Sequence, residues 1–131
     1  MKIRILAIFA FLLAANSITA QSAMDKWPAI KDFHGVISQT FHPAEEGNLD
    51  PIKARSEELS AKASALLKSD IPAEYRTNAI LASAEKLQVR SKALNKLVMS
   101  KAPDAEITKS LTEVHNIFHE IVGLCTDGKK S

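Results

Sequence analysis

Residues 104–125, DAEITKSLTEVHNIFHEIVGLC, decide the fold of this 131-residue chain. Apolar side chains recur there at alternating intervals of four and three positions: Ile107, Leu111, Val114, Phe118, Ile121 and Cys125. A seam of this spacing lies on one face of a helix and is typical of helices that pack in a four-helix bundle. The stretch therefore predicts a long helix whose buried face meets other helices.

Three further helices are predicted before it, over residues 24–41, 51–68 and 72–100. In each of them apolar side chains recur three or four positions apart, as one face of a helix requires. The alternating pattern of a β-strand is not found, so the expected fold class is all-α. Because the connections are short, we expect an up-down-up-down antiparallel four-helix bundle in which the first helix lies beside the fourth.

Proline residues mark the connections between these helices. Pro43 disfavours helix at the residue before it, so the first helix is expected to end there. Asp50 and Pro51 form a start signal, with Asp50 as the N-cap and Pro51 at the first helical position. The remaining breaks are residues 69–72, SDIP, and residues 101–104, KAPD.

The first twenty residues have the pattern of a secretory signal peptide. Residues 1–4 carry positive charge, residues 5–15 are apolar and uncharged, and the small residue Ala20 ends the segment. This pattern is typical of a leader that is removed from the mature protein. We therefore expect a signal peptide at 1–20, a helical bundle domain at 21–131, and a periplasmic or secreted protein.

The charge of the mature chain excludes some classes of partner. Removal of Lys2 and Arg4 reduces the 17 basic residues to 15, which equals the 15 acidic residues. A nucleic-acid-binding protein or a polybasic membrane-surface protein would carry an excess of positive charge. The single cysteine, Cys125, cannot form a disulfide within the chain, and its place on the apolar seam predicts a small buried side chain.

The distribution of the four histidines is the strongest chemical signal in the sequence. His34 and His42 belong to the first helix and its end, whereas His115 and His119 belong to the fourth; the second and third helices have none. His115 and His119 are four residues apart, so they share one flank of the helix at about 6 Å along its axis. Antiparallel packing of the first and fourth helices predicts all four along one half-exposed seam.

Imidazoles at this spacing can chelate a transition-metal ion such as zinc, copper or nickel. The predicted metal ligands are His34, His42, His115 and His119, and Asp32, Glu45 or Glu46 would complete the set. The alternative is that the histidines lie at the core edge with their polar tips in water and bind nothing.

Sequence signatures of catalysis are missing. The chain has no glycine-rich phosphate loop and no nucleophile elbow, and the stretch from His115 to His119 lacks the glutamate of zinc proteases. We therefore expect a protein that is not an enzyme.

The signal peptide, the four helices and a histidine in the last helix resemble the periplasmic four-helix-bundle cytochromes of the b-type and c-prime kinds. Residues 116–119, Asn-Ile-Phe-His, look like the stretch that supplies a haem ligand in the b-type proteins. The resemblance implies haem b, with His119 as one axial ligand and His34 in place of the family's axial methionine, for which Met24 is a poor counterpart. The covalent haem motif of the c-prime branch is absent.

The paired histidines also resemble those of small exported metal-binding bundles, a class in which all four histidines have a role. Three functions follow as expectations. The first is metal buffering, delivery or sensing. The second is electron transfer by a b-type haem. The third is a structural module that docks on a partner, such as a periplasmic or membrane-bound efflux or redox protein.

Overall fold

The computed structural model describes residues 23–127, and this part of the chain is all-helical, as the sequence predicted. A helical turn at residues 23–26 precedes four long helices, and no residue from 23 to 127 lies in a strand. The long helices are α1 (Pro28–Glu45), α2 (Asp50–Lys68), α3 (Asn78–Met99) and α4 (Asp104–Asp127), with a 3-10 helix (Ala73–Tyr75) between α2 and α3. The predicted signal peptide lies outside the described residues.

The core is built from one apolar face of each helix. All six seam residues of α4 are at most 2% exposed, as predicted: Ile107, Leu111, Val114, Phe118, Ile121 and Cys125. Each large side chain buried in this way stabilises the fold by about 1.5–3 kcal/mol. Helices that follow one another in the chain pack extensively, whereas the contact of α1 with α4 is much less extensive. That contact therefore leaves a shallow seam at the edge of the core.

The first helix is longer at its C-terminal end than predicted, because it continues through Pro43 to Glu45. Proline lacks an N–H group, so the helical hydrogen bond that residue 43 would donate is lost. Ala44 is buried there at 7% exposure, and the N–H groups of Gly47 and Asn48 donate to the carbonyls of Ala44 and Pro43. Burial and these bonds maintain the extra turn, and they place Glu45 on the helix.

Three predicted helix starts are also corrected. The first long helix begins at Pro28 rather than at residue 24, because Trp27 separates it from the helical turn at 23–26. Asp50 is the first residue of α2 rather than its cap, and its N–H donates to the side-chain oxygen of Asn48 at 3.1 Å. The third long helix begins at Asn78 rather than near residue 72. Thr77 caps it by accepting the N–H of Ile80 at 3.2 Å, which satisfies one of the unpaired donors at the helix start.

Two large aromatic residues anchor the connection between α2 and α3. Trp27 is fully buried and stacks on Tyr75 with ring centroids 6.2 Å apart. The indole N–H of Trp27 donates to the hydroxyl of Ser69 at 3.0 Å. Tyr75 is 1% exposed, so the 3-10 helix contributes this side chain to the core, whereas Ala73 and Glu74 are exposed.

Among residues 23–127, no helix combines the length and the apolar character that a membrane crossing requires.

Candidate metal centre

The four histidines lie in a continuous line of aromatic rings along the seam between α1 and α4. We call this line the ring strip; its members in order are His34, Phe118, His119, His115, Phe41 and His42. Successive ring centroids are 5.5, 5.7, 4.4, 3.8 and 6.2 Å apart. The strip begins on α1 with His34, continues through three rings of α4, and returns to α1 at Phe41 and His42.

His115 and His119 are the two histidines that the structure brings into direct contact. They lie one helical turn apart on α4, and their Nε2 atoms are separated by 3.1 Å. The rings are nearly perpendicular, at 79°. His115 is half-buried and His119 is exposed, so the pair is open to solvent on one side.

The separation of the two Nε2 atoms fits chelation of one metal ion. With metal–nitrogen bonds of about 2.0–2.1 Å, a 3.1 Å separation corresponds to an angle at the metal of roughly 95–102°. This angle lies between those of square-planar and tetrahedral coordination. Without an ion, the ring that carries a proton on Nε2 donates it to the Nε2 lone pair of the other ring. An ion held by both Nε2 atoms would require that proton to move to Nδ1 of the same ring or to solvent.

Phe41 holds the ring of His115 in place from the opposite helix. The two rings stack face to face, with centroids 3.8 Å apart and planes 8° from parallel. Burial lowers the pKa of His115 below its ordinary value, and the charges of His119 and His42 lower it further, against the opposing charge of Glu45. The neutral imidazole, which is the form that binds metal, is therefore favoured.

His42 lies at the end of the ring strip and is paired with a carboxylate. Its side chain is 71% exposed, and its Nδ1 lies 3.2 Å from Oε1 of Glu45, one turn further along α1. The ring of His42 contacts that of Phe41, and Phe41 in turn stacks on His115.

The predicted single site of four histidines is not assembled in the structure. His34 is exposed and packs on Phe118 at the other end of the ring strip. Asp32 and Glu46 are exposed as well. Within residues 23–127, no group of three or more histidine, cysteine, aspartate or glutamate side chains is placed to hold one ion. The spacing of apolar residues predicts the side of the helix on which each histidine lies. The distances between histidines on different helices depend on how far α1 is shifted along α4, which this spacing does not give.

His34 and His119 do not fit the arrangement that a bis-histidine haem requires. Each imidazole packs against the ring of Phe118, at 5.5 Å and 5.7 Å, instead of facing the other across an open slot. Phe118 is 2% exposed and also contacts Phe33 at 5.6 Å, so it is part of the core. A haem held by these two histidines would require this core residue to move.

Phe41 and the pairing of His42 with Glu45 were not predicted from the sequence. The spacing of apolar residues puts Phe41 on the buried face of α1 but does not give its partner on α4. A first helix that ends at Pro43 leaves the distance between His42 and Glu45 undefined. The extension of α1 through Pro43 puts the two side chains three residues apart on one helix, which brings them together.

Comparisons of the sequence with protein-family models and curated proteins, and of the fold with solved structures, gave no match.

Proposed function

We propose that this chain binds a divalent transition-metal ion through His115 and His119, and that it serves in metal buffering, delivery or sensing rather than in catalysis. The observation that carries the proposal is the 3.1 Å separation of the two Nε2 atoms. One helix supplies both ligands, so little ordering is needed when the ion binds. The stack on Phe41 restrains one of the two rings in advance.

The proposed scaffold is an up-down-up-down antiparallel four-helix bundle. Side-chain pairs between successive helices support opposite directions. Between α1 and α2, Trp27 bonds Ser69 and Gln39 bonds Arg55. Between α3 and α4, Lys86 pairs with Glu120 and Arg90 pairs with Glu113. In both cases the partner number falls as the residue number rises, which is the signature of antiparallel neighbours.

The proposed location is the periplasm or the extracellular space. The support is the pattern of residues 1–20, in which a positive start precedes an uncharged apolar run and a small residue. Mass spectrometry of the protein recovered from an exporting host tests this proposal. A mature chain that begins near Gln21 is expected, and retention of residues 1–20 would contradict it.

Titration of the purified protein with Cu²⁺, Ni²⁺ and Zn²⁺ against a chromophoric chelator tests the metal proposal. We expect one ion per chain, and an affinity that falls more than about 100-fold when both His115 and His119 are changed to alanine. The matched control is His34→Ala, which removes an exposed histidine from the same ring strip outside the chelating pair. Equal affinity in the double variant and the wild type would contradict the proposal.

The same titration separates the other two functions. Haem b predicts uptake of hemin with a Soret band that shifts on reduction and disappears in His119→Ala. A partner-binding module predicts that no ion and no hemin binds.

A further inference from the structure

We infer that His42 is a third ligand of the proposed ion, and that Glu45 is a positioning residue that holds His42 in the form that binds metal. The inference rests on the proposed function of the His115–His119 pair. It extends the site from α4 to α1, which carries both His42 and Glu45. Three observations carry it: the place of His42 on the ring strip, its exposure, and its contact with Glu45.

The position of His42 follows from the stack between α1 and α4. Phe41 lies face to face on His115 at 3.8 Å, so the backbone at residue 41 is fixed beside the pair. His42 is the next residue, and its ring also contacts Phe41, at 6.2 Å. The third imidazole is close enough to the pair for its charge to lower the pKa of His115.

The exposure of His42 gives its ring the freedom to approach an ion. Its side chain is 71% exposed, whereas the ring of His115 is held by stacking. Exposed side chains change rotamer within nanoseconds, and the Glu45 side chain is 55% exposed, so the ring of His42 and the carboxylate paired with it can shift together without a change in the backbone. An ion on the exposed side of His115 and His119 would gain a third nitrogen from such a swing.

Glu45 selects the tautomer of His42 that is able to bind. Its Oε1 lies 3.2 Å from Nδ1 of His42, and a carboxylate accepts hydrogen bonds, so Nδ1 carries the proton. Nε2 is then left with a free lone pair. Metal-binding histidines commonly donate their other N–H to a carboxylate, which fixes the ring and strengthens the ligand.

Three imidazoles and one open position make a site suited to transferring an ion. Nitrogen ligands favour Cu²⁺, Ni²⁺ and Zn²⁺ over hard ions such as Mg²⁺ and over Cu⁺, which prefers sulfur. The exposed side of the pair leaves room for water or for a ligand from another molecule. His42 lies on the other helix, and it is the ligand that a competing molecule would displace first.

Electron paramagnetic resonance of the purified protein with one equivalent of Cu²⁺ tests the inference. The nitrogen splitting counts coordinated imidazoles, and we expect three in the wild type, in His34→Ala and in Glu45→Gln, but two in His42→Ala. Glu45→Gln is expected to lower Cu²⁺ affinity by about 10–100-fold. In a His42→Ala background the same change should have no further effect, because Glu45 acts through His42.

Each result has a definite meaning. Two imidazoles in the wild type, with no loss of affinity in His42→Ala, would overturn the inference and leave the proposed function intact. A further loss of affinity when Glu45→Gln is added to His42→Ala would make Glu45 a direct ligand and overturn its positioning role. Failure of the wild type to bind Cu²⁺, Ni²⁺ or Zn²⁺ would overturn the proposed function itself. Melting of each apoprotein checks that the variants fold.

Discussion

Among the side chains of the ring strip, His115 combines burial, an aromatic stack and a second imidazole. Burial and the charges of His119 and His42 lower its pKa, while Glu45 opposes them. The folded protein therefore holds His115 neutral at a pH where the unfolded chain already binds a proton. The same environment that prepares a metal ligand makes this residue a source of acid sensitivity.

The pH dependence of stability follows from this lowered pKa. An unfolded histidine has a pKa near 6.5, so as the pH falls below that value the unfolded chain takes up the proton first. The contribution of His115 to the free energy of unfolding is full above pH 6.5, declines below it, and levels off beneath the pKa of the folded state. Urea unfolding of the apoprotein between pH 7.5 and pH 5 measures it. Compared with His115→Gln, the wild type should lose more stability on acidification; parallel curves would contradict the prediction.

The stack of Phe41 on His115 is expected to contribute to metal affinity. Aromatic pairs are worth about 0.5–1.5 kcal/mol beyond the area they bury, so Phe41→Leu should weaken Cu²⁺ binding by roughly two- to tenfold. Phe41→Tyr keeps the stacked ring and is the matched control. Competition with a chelator measures both. Equal affinity of Phe41→Leu and the wild type would show that the ring of His115 needs no support.

At the scale of the helices, sequence patterns predicted the features that depend on residues close together in the chain. The seam of α4 and the start of that helix at Asp104 follow from spacing and from the proline before it. The end of α1 was wrong because the helix continues past Pro43, where Ala44 is buried and the carbonyls of Pro43 and Ala44 accept backbone hydrogen bonds. The predicted start of α3 near Pro72 was wrong because the residue that caps the helix is Thr77, five residues further on.

The cap of α3 gives a test at this scale. Thr77→Ala removes the hydroxyl that accepts the N–H of Ile80, and it should lower the free energy of unfolding by about 1 kcal/mol. Thr77→Ser retains the hydroxyl and should stay close to the wild type. Chemical denaturation measures both variants. An equal loss in the serine variant would assign the effect to the methyl group instead.

At the scale of the whole molecule, the sequence predicts the angle of each histidine around its helix axis but not which rings are in contact. Helical periodicity places His34, His42, His115 and His119 on facing flanks. Which rings touch depends on how α1 is shifted and inclined against α4, and the spacing of apolar residues does not contain that information. The stack of Phe41 on His115 and the separation of His34 from the pair both arise from this register.

Metal binding should raise the thermal stability of the entire chain. An ion that binds the folded state stabilises it by about 2.7 kcal/mol at a free concentration 100 times the dissociation constant. For a chain of this size we expect a Tm increase of roughly 10 °C, reversed by a chelator and absent from the variant with alanine at both His115 and His119. Scanning calorimetry measures the shift. An equal rise in that variant would place the bound ion elsewhere.

The slight contact between α1 and α4 has a consequence for how the molecule opens. A helix with one extensive neighbour separates at a lower free energy than a helix with two, so amide hydrogens of α1 should exchange faster than those of α2 or α3. An ion bound by His42 and by the histidines of α4 would cross-link the two helices there. Because the cross-link would join positions far apart in the chain, binding of the ion would slow amide hydrogen exchange along all of α1. Removal of the ion would restore the faster exchange of that helix.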